Sequence, residues 1–255
     1  MLKSILTAPI ESNWGDRYGG NRPYWFQDHN SLVLGVAHLD TVMALAPIKR
    51  KSIIYAPQLD DRLGVWCLLH GLPMRGIKID ILLTTDEEHM NSTAQDFIPN
   101  KQYNWVIEFD RAGTDIVTYQ YTDFNETLHN AGFRVNRGSY SDICELEHLN
   151  CLCANIGIGY HNQHTINCYA DLRDTNAQLD HFAEFYWRNR ATHFEYNPDY
   201  NLDTEYQDII GNNYCDYSHQ YARCDLCGDW IQERELICCN KMCVCNNCIG
   251  EVSYV

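Results

Sequence analysis

Histidine and carboxylate side chains follow five strand-like apolar segments of this 255-residue chain. Imidazole nitrogens and carboxylate oxygens are the ligands that bind zinc, manganese and cobalt in proteins. In open α/β sheets, ligands bind beyond the carboxyl ends of the strands, so side chains at these positions meet in one crevice. In chain order they are His38 and Asp40, Asp60 and Asp61, Asp86 to Glu88, Asp110, and His161 and His164. The set predicts a divalent metal site.

The segment ILLTTDEEH (81–89) places three acids in succession directly after an apolar run. Adjacent like charges repel each other, so these acids need either solvent or a cation. Several carboxylates are too anionic for a single zinc ion, but two divalent ions about 3.5–4 Å apart can share a bridging carboxylate. The sequence therefore predicts two metal ions at this edge. Asp86 and His89 are expected to flank the site without a role in it.

Strands and helices must alternate along the chain to place these residues together. Several strand-like segments are continuously apolar, which is typical of parallel strands covered on both faces. Strands are predicted at 31–38, 52–56, 78–85, 104–110, 115–121 and 151–159. Helices are predicted at 61–72, 91–98, 125–132, 141–149 and 175–194. This order predicts an α/β domain over residues 1–196, with a mixed, largely parallel central sheet flanked by helices.

Five short motifs resemble those of the co-catalytic di-zinc exopeptidases, the superfamily that includes peptidase T, the carboxypeptidase G-type enzymes and the zinc aminopeptidases. They occur in the family's order, as HLDT (38–41), DDRLG (60–64), TTDEEH (84–89), EFDRAGTDIV (108–117) and GIGYHNQHT (157–165). The resemblance implies a zinc-exopeptidase-like fold. It also implies an aminopeptidase-like exopeptidase that acts on a peptide or small amide substrate.

The resemblance assigns metal ligands position by position. His38 and Asp110 would bind one zinc ion, Glu88 and His164 would bind the other, and Asp60 would bridge both. Cobalt or manganese would be accepted by the same ligands.

Two further acids receive catalytic roles from the resemblance. Asp40 would lie behind His38 and orient its ring. Glu87 would act as the general base, which takes a proton from a metal-bridged water and passes it to the leaving amine. Adjacent glutamates can divide these tasks because successive side chains at a strand end point in different directions.

Some assignments stay open at this stage. The ending NQHT favours His164 over His161 as the last ligand, and His161 would then contact substrate or lie on the surface. Arg111 would pair with a nearby acid or bind a substrate carboxylate. Ser141 and Asp142 would cap a helix or contact the substrate.

The spacing between the last two ligands argues against a lid. Peptidase T and its carboxypeptidase relatives insert a lid or dimerisation domain between the last aspartate and the last histidine. Here His164 follows Asp110 by 54 positions, which is enough only for strands and two helices. We therefore expect no lid domain, as in single-domain aminopeptidases.

A cysteine-rich module is predicted at 215–255, after a polar linker at 197–214. Eight of the 13 cysteines lie between Cys215 and Cys248. Two Cys-x-x-Cys pairs are separated by 17 residues, a spacing that predicts a structural zinc site. Its ligands would be Cys224, Cys227, Cys245 and Cys248. The remaining candidates, which would either form a second zinc site or stay unligated, are Cys215, His219, Cys238, Cys239 and Cys243.

The charge balance disfavours several classes of partner. The net charge is −15, and residues 215–255 hold three Lys/Arg against six Asp/Glu, so binding to nucleic acid or to an anionic membrane is not expected. The module is instead expected to bind a protein partner or to mediate self-association. With no signal peptide or apolar membrane span apparent, a cytoplasmic location is expected.

Three classes of function fit the sequence. The first is a zinc-dependent metallopeptidase, and a related enzyme would be an N-acyl amidohydrolase that uses the same metals and base on a small substrate. The second is a catalytically silent binding protein that retains the fold. The third is a scaffold that uses its zinc module for protein contacts.

Overall fold

The computed structural model describes residues 2–18 and 22–198, together with four short strands between residues 221 and 245. The chain divides into two compact units, Met1–Asn212 and Asn213–Val255. Residues 199–214, most of the predicted linker, lie outside the described residues. None of the described helices is long and apolar enough to span a bilayer.

One mixed sheet of 11 strands forms the centre of the first unit. Its strands in chain order are β1 (Asp16–Tyr18), β2 (Tyr24–Gln27), β3 (Val33–His38), β4 (Ile48–Arg50), β5 (Ile53–Tyr55), β6 (Asp80–Thr84), β7 (Trp105–Ala112), β8 (Ile116–Val117), β9 (Val135–Asn136), β10 (Cys153–His161) and β11 (Tyr169–Asp171). The helices are α1 (Leu2–Thr7), α2 (Leu59–Trp66), α3 (Phe124–Asn130) and α4 (Leu172–Asn189).

The four central strands, β6, β3, β7 and β10, are adjacent in this order and parallel. β3 and β6 are buried along their whole length, as expected for strands covered on both faces. Antiparallel strands extend the sheet on either side, with β2 and β1 beyond β6, and β11, β5 and β4 beyond β10. The predicted mixed, largely parallel α/β fold is confirmed.

The parallel register brings the ends of the central strands to one edge. His38, the last residue of β3, pairs with Thr84 at the end of β6. Val36 of β3 and Asn155 of β10 both pair with Glu108 of β7. The same edge of the sheet therefore holds the acids after β6, the later residues of β7 and the loop after β10.

Helix α2 packs closely on β7. A Cβ on Gly64 would overlap the carbonyl oxygen of Phe109 and the carboxylate of Asp61, so only glycine fits at this position. The predicted helix at 61–72 continues beyond α2 as a π-helical turn, Cys67–Gly71. This close contact brings the start of α2 next to the end of β7.

Helix α4 packs against the N-terminal end of β7. Asp171 caps its N-terminus by accepting a hydrogen bond from the Arg173 amide at 3.0 Å. Its buried side chains include Phe182 and Phe185, whose rings contact the ring of Trp105 edge to face, with centroids 6.1 and 5.4 Å apart. Aromatic burial of this kind contributes strongly to the stability of a core.

Three predicted elements differ in the structure. The strand predicted at 115–121 is limited to β8, since the backbone is left-handed at Tyr119 (φ +47°). The helix predicted at 91–98 is a 3-10 turn, Thr93–Asp96, and the helix predicted at 141–149 is two 3-10 turns, Asp142–Glu145 and Glu147–Leu149. In the latter segment the capping residues bond elsewhere in the fold.

Four strands of the second unit are described by their backbone. β12 (Tyr221–Arg223) pairs antiparallel with β13 (Trp230–Gln232), and β14 (Leu236–Cys239) pairs antiparallel with β15 (Met242–Cys245).

Most ligands of the predicted cysteine zinc site do not belong to these strands. Cys224, Cys227 and Cys248 lie outside the described residues, as do Cys215 and His219. The structural zinc site, and a second one, remain predictions.

Candidate metal centre

His38 stands at the middle of the acidic edge and is completely buried. Its Nδ1 donates to the main-chain carbonyl oxygen of Asp40 at 2.9 Å, and a carbonyl can only accept. In the neutral ring, Nε2 therefore carries the lone pair. That atom lies 3.3 Å from Asp60 Oδ1 and 3.6 Å from both Glu87 Oε2 and Asp110 Oδ1. The ring is thus held with its metal-binding nitrogen facing three carboxylates.

Asp60 and Asp61 open helix α2, and the peptide bond between them is cis. The two oxygens of Asp60 face different histidines, with Oδ1 towards His38 and Oδ2 3.0 Å from His164 Nε2. Asp61 accepts hydrogen bonds from the amides of Gly64 and His38 at 2.9 and 3.3 Å. Asp60 is therefore placed between the two halves of the site, and Asp61 lies beneath His38.

Glu87 and Glu88 lie in a 3-10 turn after β6. The Glu88 carboxylate contacts His164 Nε2 at 3.0 Å through Oε2. The Glu88 amide donates to Asp40 Oδ2 at 3.3 Å. Glu87 faces His38 instead, so the two neighbouring glutamates point to different parts of the site.

Asp110 reaches the site from the end of β7. Its Oδ1 accepts a hydrogen bond from the hydroxyl of Tyr160 at 3.0 Å. The amide of Asp110 donates to the side-chain oxygen of Asn155, whose nitrogen returns a hydrogen bond to the Asp110 carbonyl oxygen at 2.8 Å. Strand β10 therefore fixes both the backbone and the carboxylate of Asp110.

The two candidate histidines of the β10 loop are placed differently. His164 contacts Asp60 and Glu88, and its backbone is left-handed (φ +58°). His161 ends β10, and its ring lies against Tyr169 with centroids 5.2 Å apart.

Arg111, Asp86 and His89 flank the site and make no hydrogen bond or ion pair with its proposed ligands that the structure describes. Arg111 donates two hydrogen bonds to the carboxylate of Asp115, at 2.6 and 3.1 Å. Asp86 lies 3.8 Å from Arg22. His89 is exposed.

The pKa values of the site reflect this crowding of negative charge. Burial alone would lower the pKa of His38, but the carboxylates of Asp110 and Glu87 raise it well above its usual value. Burial, together with the charge of Asp60, raises the pKa of Asp110 to about 7. Hydrogen bonds to Asp60 and Glu88 raise the pKa of His164 to about 10. Without a metal ion, the site holds protons in order to limit repulsion between its carboxylates.

No protein-family model and no curated protein sequence matches the chain. Solved structures do match its fold. A tripeptidase from Staphylococcus aureus aligns with 65% of this chain and 83% of its own, at 12% identity and a TM-score of 0.48. The aminopeptidase PepT from Bacillus cereus aligns with 71% and 90%, at 9% identity and a TM-score of 0.46. An aminopeptidase from Desulfurococcus kamchatkensis aligns with 83% and 91%, at 11% identity and a TM-score of 0.46.

The chain is thus similar in fold to proteins described as a tripeptidase and aminopeptidases. What the site can do is inferred from its own side chains.

The side chains present fit divalent metal ions. One ligand atom each from His38, Asp60 and Glu88 lie within 4.8 Å of one another, and the same is true of His38, Asp61 and Asp110. Glu88 Oε1 is buried without a hydrogen-bond partner, which is costly unless a cation contacts it. Imidazole and carboxylate together are a donor set for zinc, cobalt or manganese.

Two buried acids lie behind the site: Glu108, which received no role from the sequence, and Asp142, which was expected to cap a helix or contact the substrate. Glu108 accepts hydrogen bonds from the hydroxyl of Ser141 and, at 3.2 Å, from the amide of Asp142. The Asp142 carboxylate accepts from Thr84 Oγ1 at 2.6 Å and from Ser92 Oγ. Neither Ser141 nor Asp142 caps its own turn with its side chain, contrary to the capping interpretation. Its position inside the apolar run WVIEF is the sequence feature that could have identified Glu108 as a buried acid.

Proposed function

We propose that this chain is a divalent-metal-dependent exopeptidase that removes an amino-terminal residue from a peptide or small amide. The observation that carries the proposal is the position of Asp60, which presents one oxygen to His38 and the other to His164. A carboxylate between two histidine-containing clusters is the arrangement that a bridging ligand of two metal ions requires. Zinc is the proposed metal, with cobalt or manganese as substitutes.

The ligands proposed for the two ions divide as the contacts do. His38 and Asp110 would hold one ion, Glu88 and His164 would hold the other, and Asp60 would contact both. Support for His164 over His161 comes from its two 3.0 Å contacts with carboxylates. Two such ions supply Lewis acidity to the substrate carbonyl and to the attacking water.

Glu87 is the proposed general base. Its carboxylate faces the site 3.6 Å from His38 Nε2, and burial raises its pKa well above the usual value, with Asp110 and Asp142 adding to the effect. A carboxylate of raised pKa can accept a proton from the attacking water and then donate it to the leaving amine.

Asp40 and Tyr160 hold the ligands in place in this proposal. The carbonyl oxygen of Asp40 accepts a hydrogen bond from His38 Nδ1 and so fixes the ring, and Asp40 Oδ1 lies 3.5 Å from the same Nδ1. The Tyr160 hydroxyl fixes the carboxylate of Asp110. Partners of this kind set the orientation of a ligand, and their loss typically costs about 10- to 100-fold in metal affinity or activity.

An amino-terminal substrate is supported by the charges near the site. Arg111, which follows Asp110 directly, is held by Asp115 through two hydrogen bonds. It is therefore not available for a substrate carboxylate. The net charge of −15 favours the ammonium group of a peptide N-terminus over a carboxylate by electrostatic attraction.

Hydrolysis of chromogenic aminoacyl amides by the full chain tests the proposal. Zinc, cobalt or manganese should restore hydrolysis after treatment with a chelator. Glu87→Gln should lower kcat by about 100- to 10,000-fold, because it removes the base and keeps the shape of the side chain. Asp86→Asn, the same change one position earlier, is the matched control and should leave kcat unchanged. Metal-independent hydrolysis, or full activity of Glu87→Gln, would contradict the proposal.

Acetylated amino acids belong in the same substrate panel. Faster turnover of these compounds than of aminoacyl amides would identify a deacylase that uses the same residues. A chain that binds the metals but hydrolyses neither class of substrate would be a binding protein.

A further inference from the structure

The turn that carries Glu87 and Glu88 is held in an unfavourable backbone conformation. Asp86 and Met90, which flank the turn, both have left-handed backbones, at φ +65° and +53°. Residues other than glycine rarely adopt this region. Such conformations persist where the surrounding structure enforces them. The turn therefore needs firm attachment at both of its ends.

Asp142 provides that attachment with a single carboxylate. Thr84, at the end of β6, donates its hydroxyl to Asp142 Oδ2 at 2.6 Å. Ser92, just after the turn, donates its hydroxyl to Asp142 Oδ1. All three residues are buried, and Asp142 and Ser92 have no exposed surface. Asp142 therefore bridges the two ends of the segment 84–92, in addition to the two hydrogen bonds that join Thr85 and Thr93 directly.

Asp142 is in turn tied to the strand that carries Asp110. The Asp142 amide and the Ser141 hydroxyl both donate to the carboxylate of Glu108. Glu108 and Asp110 are two positions apart on the same strand, β7. A continuous path of hydrogen bonds thus runs from β7 to both ends of the turn.

We propose that Asp142 is a positioning residue for the metal centre. It fixes Glu87 and Glu88 relative to Asp110 and His38, although it contacts no substrate or proposed metal itself. The inference rests on the proposed function for its catalytic consequence. Its structural part, the control of the turn by Asp142, stands independently of catalysis.

The test compares Asp142→Asn with Asp80→Asn in the full chain. Both aspartates are fully buried, and Asp80 lies at the other end of β6. Asp80 accepts hydrogen bonds from the amides of His29 and Ser31 at 2.9 and 3.0 Å and from the Tyr103 hydroxyl at 2.9 Å, and it pairs with Lys101. Its replacement therefore perturbs a buried aspartate away from the site. In Asp142→Asn, the amide nitrogen cannot accept, so one hydroxyl loses its partner.

Three readouts distinguish positioning from general stability. Asp142→Asn should lower kcat by about 10- to 100-fold with little change in KM, and should weaken zinc binding by a similar factor. Main-chain amides of residues 86–91 should exchange hydrogen faster. Asp80→Asn should lower the midpoint of unfolding but leave kcat, zinc affinity and exchange at 86–91 unchanged.

Thr84→Val keeps the volume of the side chain and removes only one of the two hydroxyls. If Asp142→Asn does not fold, this variant decides the question, with the same three effects at smaller size. Unchanged exchange at 86–91 in the variant that folds would overturn the proposal, as would effects that match those of Asp80→Asn. Wild-type protein without metal binding or hydrolysis would contradict the proposed function alone, since the exchange measurement would still decide the role of Asp142.

Discussion

His38 and His164 face opposite oxygens of the same carboxylate, that of Asp60, at 3.3 and 3.0 Å. His38 is buried at the end of a central strand, whereas the side chain of His164 is 54% exposed on the loop after β10. The proposed ions would therefore sit in unequal surroundings, one deep in the fold and one near solvent.

Replacement of the two loop histidines should give opposite results. His164→Ala should remove one equivalent of metal and most of the activity, because His164 contacts both Asp60 and Glu88. His161→Ala should retain the metal and most of kcat, because its ring packs on Tyr169. Metal content by mass spectrometry and hydrolysis of an aminoacyl amide measure both effects. Loss of metal in His161→Ala with retention in His164→Ala would reverse the assignment.

Zinc binding should release protons and strengthen as the pH rises. In the metal-free chain the pKa of Asp110 is raised to about 7 and that of His164 to about 10, so at neutral pH His164 holds a proton and Asp110 is about half protonated. Zinc binds their deprotonated forms, so it must displace those protons. Each proton released makes the apparent affinity rise about tenfold per pH unit below the pKa concerned.

Calorimetric titration in buffers of different ionisation enthalpy measures the number of protons released. His164→Ala should release fewer protons than the wild type near pH 8. Zinc affinity that does not change from pH 6.5 to 9 would contradict the expectation.

Gly64→Ala should destabilise the fold near the site. The added methyl group would overlap the carbonyl oxygen of Phe109 and the carboxylate of Asp61, so α2 must move away from β7. Overpacking of this kind costs about 1–3 kcal/mol of the free energy of unfolding. Because α2 also carries Asp60, zinc affinity should fall as well. Denaturant unfolding of the metal-free chain separates the two effects, and an unchanged midpoint would show that the contact relaxes freely.

The predicted cysteine site should bind zinc independently of the metal centre. A full chain with Cys224→Ser and Cys227→Ser should lose at least one zinc equivalent, because four thiolates are needed to close a structural site. Its kcat and KM should stay close to those of the wild type. A change in oligomeric mass by light scattering would reveal a role in association. Loss of hydrolysis together with the zinc would show that the module is needed for the catalytic unit.

The sequence predicts those parts of the site that depend on strand ends. Polar residues after apolar runs identify His38, Asp60, Glu88 and Asp110 as neighbours, because parallel strands deliver their ends to one edge. Their assigned roles remain proposals. The alternation of segments likewise predicts the sheet and α4.

Long-range hydrogen bonds explain what the sequence could not predict. Asp142 has the local pattern of a helix cap, but its carboxylate bonds to Thr84 and Ser92, which are 58 and 50 positions away. Local patterns contain no information about such partners, which become visible only when the strands are assembled.

The number of metal ions bound outside the cysteine module decides whether the strand-end residues form a two-metal centre. The difference in metal content of the Cys224→Ser, Cys227→Ser chain with and without Asp60→Asn measures this number. We expect two zinc equivalents that remain when Cys224 and Cys227 are replaced and that are lost or greatly weakened by Asp60→Asn. Zinc that is wholly removed by the cysteine replacements, with Asp60→Asn having no effect, would contradict this expectation.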